Sequence, residues 1–188
     1  MERTGPFSSF RTKKESEFTV LFRPHIKSLY QSAYRWTFNP HDAEDLVQDL
    51  ALVLVSRVAE MATIDRLRPW MLKIMYRRFV DLHRRQIANP VIAEHKLGSD
   101  SSNIVDILVS ERETPAGQFA LARQRKSIQR ELDRLDVSQR VVVMLFDVEG
   151  FTIKEIANIV DIPEGTVKSR LHRAHAQLKN SIPKGTFF

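Results

Sequence analysis

The chain has 188 residues, 43% of them hydrophobic, with 29 Lys and Arg against 23 Asp and Glu and no cysteine. The missing thiols exclude disulfides, thiol catalysis, thiol redox sensing and cysteine-based zinc sites. No apolar run approaches the roughly 18 to 20 residues that span a bilayer. The opening MERTGPFSSFRTKK lacks the apolar core of a secretory signal, so membrane insertion is not expected and the cytoplasm is the expected address. A net charge of +6 favours a polyanionic partner or an acidic protein surface.

With six glycines and apolar residues recurring at three- and four-residue spacing, the chain reads as all-α. Residues 1–17 are expected to form a flexible leader, and residues 18–90 a first helical domain that ends at the Asn89-Pro90 break. Residues 91–117 read as a flexible linker. Its stretch LGSDSSNIVDILVSERETPAG is poor in large apolar residues and sets four acids against Arg112. Residues 118–181 form a second helical domain and 182–188 a tail. Each domain holds about 60 to 70 residues, a size that buries only about 60% of its unfolded surface and is marginal alone.

In the first domain, Asn39, Pro40 and the acids that follow open a helix with an N-cap, a proline at the first helical position and charges that suit the dipole. Leu46, Leu50, Val53 and Leu54 supply its buried stripe, leaving Asp45, Gln48 and Asp49 on a more polar face. On chemistry alone, the four acids among residues 42–49 describe a solvated helix start. The sign then reverses, because residues 66–85 carry seven bases against Asp81 alone. Trp70, Leu72, Ile74, Phe79 and Leu82 interleave with those bases, a composition suited to tracking single-stranded phosphate while packing on a core. Trp70 itself is expected in the core.

The second domain is most informative at FTIKEIANIVDIPEGTVKSRLHRAHAQL, residues 151–178. Thr152 and Glu155 form a capping box, and Ile153, Ile156, Ala157 and Val160 share one face. Asp161-Ile162-Pro163 is the turn, with Asp suited to left-handed geometry and Pro to the first position of the next helix. In that helix Val167, Leu171, Ala174 and Leu178 face the core, while Lys168, Ser169, Arg170, His172 and Arg173 remain for an anion. No acid occurs between Gly165 and Asn180. Such a helix pair places its second helix in a major groove. His172 and His175 lack the further ligands of a metal site, so no metal or cofactor is expected.

Residues 150–178, above all EIANIVDIPEGTVKSRLHRA, closely resemble region 4 of extracytoplasmic-function sigma factors of the sigma-70 family. LDRLDVSQRVVVMLFDVEGFT resembles the helix before it, with Leu132, Leu135, Val141, Leu145 and Phe146 as packing residues. DAEDLVQDLALVLV resembles region 2.2, and RPWMLKIMYRRFVDLHRR regions 2.3 and 2.4. The resemblance implies two small helical domains, a promoter-specificity subunit and no catalysis. Asp45, Gln48 and Asp49 would meet the β′ clamp helices of core RNA polymerase. Arg77, Asp81, Arg84, Arg85 and the loop Glu60 to Leu67 would handle −10 DNA. Lys168, Ser169, His172 and Arg173 would read −35 DNA, with Arg170 on phosphate. The polymerase β flap, promoter DNA and an anti-sigma factor are the further implied partners. Arg77 stands where the family often has Asn, His175 where Arg is common, and the loop lacks the family's aromatic.

Two other classes compete with this reading. An autonomous helix-turn-helix regulator explains residues 151–178, because response regulators share a similar K-E-I-A and T-V-K pattern, but not the acidic-then-basic first domain. An enzyme needs a converging nucleophile, base or metal set, which six scattered histidines do not supply.

Overall fold

Phe38, with φ of 51°, turns the chain between two helices by adopting the left-handed conformation, its N–H bonded to the Tyr34 carbonyl at 2.7 Å. Asn39 comes next in extended geometry, and its Oδ1 accepts from the N–H groups of His41 and Asp42 at 2.9 and 3.2 Å. Together they join α1 (Ile26–Thr37) to α2 (Pro40–Ser56), as the Asn39-Pro40 signal predicts. The structure, a computed structural model, describes residues 16–88 and 130–181, which are helical with no strand among the described residues. The linker 91–117, the tail and the leader up to residue 15 lie outside them. The chain divides into two units between Leu97 and Gly98.

In the first unit, residues 16–22 are helical and pass through a 3-10 turn, Arg23–His25, into α1. A short α3 (Val58–Met61) and a turn then lead to α4 (Leu67–Ala88). Helix α2 packs against both α1 and α4, and α1 also meets α4. The inner line of α2 is Ala43, Leu46, Leu50 and Leu54, whereas Val53, expected in that stripe, is only half-buried on its flank. Trp36 is the aromatic hub. Its ring lies 6.0 Å from Tyr76, edge to face, and 5.7 Å from Phe79. Asp42 is buried and its Oδ2 accepts from Gln86 Nε2 at 3.0 Å, tying the start of α2 to the end of α4.

In the second unit, Asp136 caps α5 (Val137–Val143) by accepting from Ser138 N–H at 2.8 Å. The helix widens into a π segment, Met144–Val148, closed by Glu149 N–H on the Met144 carbonyl. The extra residue of a π turn rotates the side chains after it around the helix axis. Phe146, expected in the core, is accordingly 37% exposed. Gly150, at φ of +71°, returns the chain so that buried Phe151 donates to the Leu145 carbonyl. Helix α6 (Ile153–Val160) opens on a complete capping box: Thr152 Oγ1 accepts from Glu155 N–H, and Glu155 Oε2 accepts from Thr152 N–H. Asp161 ends it in the left-handed region. Helix α7 (Glu164–Ser181) starts one residue later than expected, with the Pro163 carbonyl accepting from Thr166 and Val167. Val167, Leu171 and Ala174 bury its inner face, Leu178 is half-buried, and Ile159 joins the α6 core residues.

Candidate functional site

Burial of Leu46 and Leu50 turns Asp45, Gln48 and Asp49 outward on α2, where all three are exposed beside Glu44. Asp42, the first acid of the cluster, faces inward and serves the Gln86 bond instead. The outward face therefore carries three carboxylates and one amide. One turn further on, Leu52 stands 73% exposed.

On α4, burial of Met71, Leu72, Met75 and Phe79 fixes the opposite orientation for a basic face. Arg77, Asp81, Arg84 and Arg85 are all exposed, at spacings that place them along one side of the helix. The turn before α4 hangs on Glu60 and buried Met61, whose carbonyls accept from the N–H groups of Thr63 at 3.0 Å and Ile64 at 3.2 Å. Ala62, Thr63, Asp65 and Arg66 are exposed there. Burial and the nearby charge of Arg68 hold the His25 imidazole below its ordinary value.

Trp70 departs from expectation. It is half-exposed, with the Arg57 guanidinium 5.0 Å from its ring centroid. Arg57 grips Glu60 with both arms of its fork, at 2.7 and 2.8 Å. Arg57 and Trp70 carry no recognisable sequence signal as a pair, because the turn between them decides whether they meet.

On α7 the five candidates divide. Lys168, His172 and Arg173 are exposed, whereas Ser169 and Arg170 are half-buried. Ser169 Oγ donates to the Thr166 carbonyl at 3.0 Å. Arg170 lies in the field of Asp136, and with the Ser138 hydroxyl and the backbone N–H groups of Ser138 and Gln139 it holds that carboxyl below its ordinary value despite partial burial. His175 Nε2 lies 2.7 Å from Asp147 Oδ2, and Gln177 Nε2 donates to the Arg134 carbonyl at 3.2 Å. Both bonds strap α7 to the segments before it. The sequence alone offers His175 only as a groove residue or half of a metal pair. Among the described residues no group of three His, Cys, Asp or Glu could hold a metal ion, and no helix is long and apolar enough to cross a membrane.

Residues 21–87 match the family model of Sigma-70 region 2, and residues 125–178 that of Sigma-70, region 4. The ECF RNA polymerase sigma factor SigM of Mycobacterium tuberculosis is 32% identical over 162 residues, which cover 86% of this chain and 74% of that one. The chain belongs to the extracytoplasmic-function sigma factors of the sigma-70 family. It is also similar to the ECF RNA polymerase sigma factor SigE of Mycolicibacterium smegmatis, 32% identical over 164 residues and 87% of this chain. This sigma factor spans 61% of that relative's length. Its fold is shared with the sigma factor RpoE of Bartonella quintana, solved in complex with the anti-sigma factor NepR. The TM-score is 0.62 at 21% identity, over 88% of this chain and 94% of that one.

Proposed function

We propose that this sigma factor binds core RNA polymerase through the first unit and directs it to promoters by melting −10 DNA with that unit and reading −35 DNA with the second. The observation that carries this is the pair of opposite-sign faces on one small bundle: Asp45, Gln48 and Asp49 outward on α2, and Arg77, Arg84 and Arg85 outward on α4. One face suits a basic coiled coil such as the β′ clamp helices, the other a nucleic acid strand. Asp81 and the turn at residues 60–67 complete the −10 surface. On α7, Lys168, His172 and Arg173 reach base edges or phosphates, Ser169 sits at the margin of that face, and Arg170 meets phosphate only in competition with Asp136.

The domains run over residues 18–90 and 118–181, and the linker between them avoids DNA through its acids. The polymerase makes the bonds; the sigma factor works in the cytoplasm without catalysis or cofactor. The β flap would hold the second unit, and an anti-sigma factor of the kind bound to the Bartonella protein is the expected regulator.

The test is a footprint with and without core enzyme. The free chain should bind promoter DNA weakly, with strong salt dependence from counterion release. Core enzyme should convert this into protection at both elements, with permanganate-reactive thymines near −10. Tight, specific binding by the free chain, and no transcription with core present, would reject the proposal in favour of an autonomous regulator.

A further inference from the structure

Trp70, Arg57 and Glu60 come from three successive elements and meet beside the turn that precedes α4. Arg57 ends α2 as its C-cap, Glu60 lies in α3 and Trp70 in the first turn of α4. The Arg57 and Glu60 side chains are 38% and 42% exposed. Exposed ion pairs and exposed cation–π contacts contribute little to folding. The consequence of this cluster is therefore geometric. Glu60 holds both arms of the guanidinium, which leaves its plane against the indole and in reach of solvent. Lys73 and Arg77 lie three and seven residues after Trp70 on the same side of α4, so cationic groups continue along the helix from the stacked pair.

A planar guanidinium on a half-exposed indole, with bases beyond it at helical spacing, is a surface on which an unpaired nucleobase stacks while its backbone is neutralised. The turn itself offers no aromatic for this purpose. We propose that Trp70 and Arg57 form a stacking platform for one unpaired base of single-stranded DNA, with Glu60 as the residue that positions the guanidinium. The inference rests on the strand-opening role proposed for the first unit and adds a base contact to it.

An abasic scan tests it. Holoenzyme is reconstituted with the full chain, and nucleotides of the non-template strand are made abasic one at a time across the opened segment. Trp70→Ala should reduce open-complex formation roughly 5- to 150-fold, the range for loss of one base–aromatic stack. That loss should vanish at a single abasic position, where wild type has nothing left to stack. Arg57→Lys keeps the charge and loses the plane, and Glu60→Gln loosens the grip, so each should give a smaller loss at the same position. A Trp70→Ala defect spread evenly over all positions, or no defect with core binding intact, overturns the platform.

If wild-type holoenzyme opens no promoter at all, the strand-opening role fails, and the free chain still decides this inference. Trp36 is buried, so quenching of tryptophan fluorescence by oligothymidine belongs to Trp70. Quenching in wild type that Trp70→Phe lacks supports the platform, and equal signals in the two proteins overturn it.

Discussion

The two units present charge by different means. In the second, the recognition face is set by local grammar: a capping box, a left-handed Asp161 and a short helix pair, all within 28 residues. In the first, the acidic and basic faces are exposed because two long helices bury their other sides around Trp36, and the bonds that hold the arrangement join distant residues, such as Asp42 and Gln86. A local device orients few side chains firmly, whereas a packed bundle orients many but depends on its core. The first unit should therefore lose function through its interior, and the second through single surface contacts.

The largest expected effect is on that interior. Trp36→Ala removes the ring that meets both Tyr76 and Phe79, and the cost should be about 3 to 5 kcal/mol, the usual range for a buried Trp or Phe. Both tryptophans and all three tyrosines lie in the first unit, so the fluorescence of Trp70 tracks its unfolding in urea. A shift of the midpoint seen by fluorescence, with the remaining circular dichroism transition unmoved, is the expected pattern. Next comes Asp49→Lys, which places like charge against a basic partner, a juxtaposition costing several kcal/mol. Competition for core polymerase should fall more than tenfold while the helical signal stays intact. Loss of helix instead would return Asp49 to a purely structural role.

On the second unit, Lys168→Ala and Arg173→Ala should each weaken −35 recognition by about 1 to 3 kcal/mol if they reach base edges, and do so only for some sequences. Arg170→Ala should do less, because its guanidinium is half-buried and faces Asp136. Filter binding at several salt concentrations separates the three. An Arg170 effect equal to that of Arg173 would mean the Asp136 contact opens on DNA.

Legibility in the sequence divides along the same line. The capping box, the Asp161 turn, the Asn39 cap and the outward set at Asp45, Gln48 and Asp49 can be read because each depends on neighbours within one or two helical turns. Phe146 is misplaced by periodicity because a π turn leaves no periodic trace: Val141 to Leu145 are buried in one unbroken run, and the extra residue then turns Phe146 out. Trp70 is misplaced because aromatic residues are usually core, and only the close return of the chain brings Arg57 onto its ring. The His175–Asp147 bond spans 28 residues and two elements, beyond any local pattern.

The smallest effect expected is a change of acid sensitivity confined to the second unit. Asp136 is held below the ordinary carboxylate value of 3.8, chiefly by the Ser138 hydroxyl, then by backbone N–H groups and Arg170, against partial burial. Its contribution to stability is complete above that ordinary value and is lost as pH falls through the lower, folded one, because the unfolded chain takes up its proton first. Asp133 works in the opposite sense. Burial outweighs the pull of Arg140 and raises its carboxyl, so its contribution is present in acid and lost as pH rises through the raised value. Asn caps a helix about as well as Asp. Asp136→Asn should therefore leave stability near neutral pH almost unchanged and make the decline below 3.8 shallower, while Asp133→Asn should make that decline steeper. The reporter is the part of the far-ultraviolet transition that fluorescence does not track, since the second unit has neither Trp nor Tyr. An Asp136→Asn chain that loses this signal in acid as steeply as wild type would show that the Ser138 and Arg170 contacts do not hold the carboxylate.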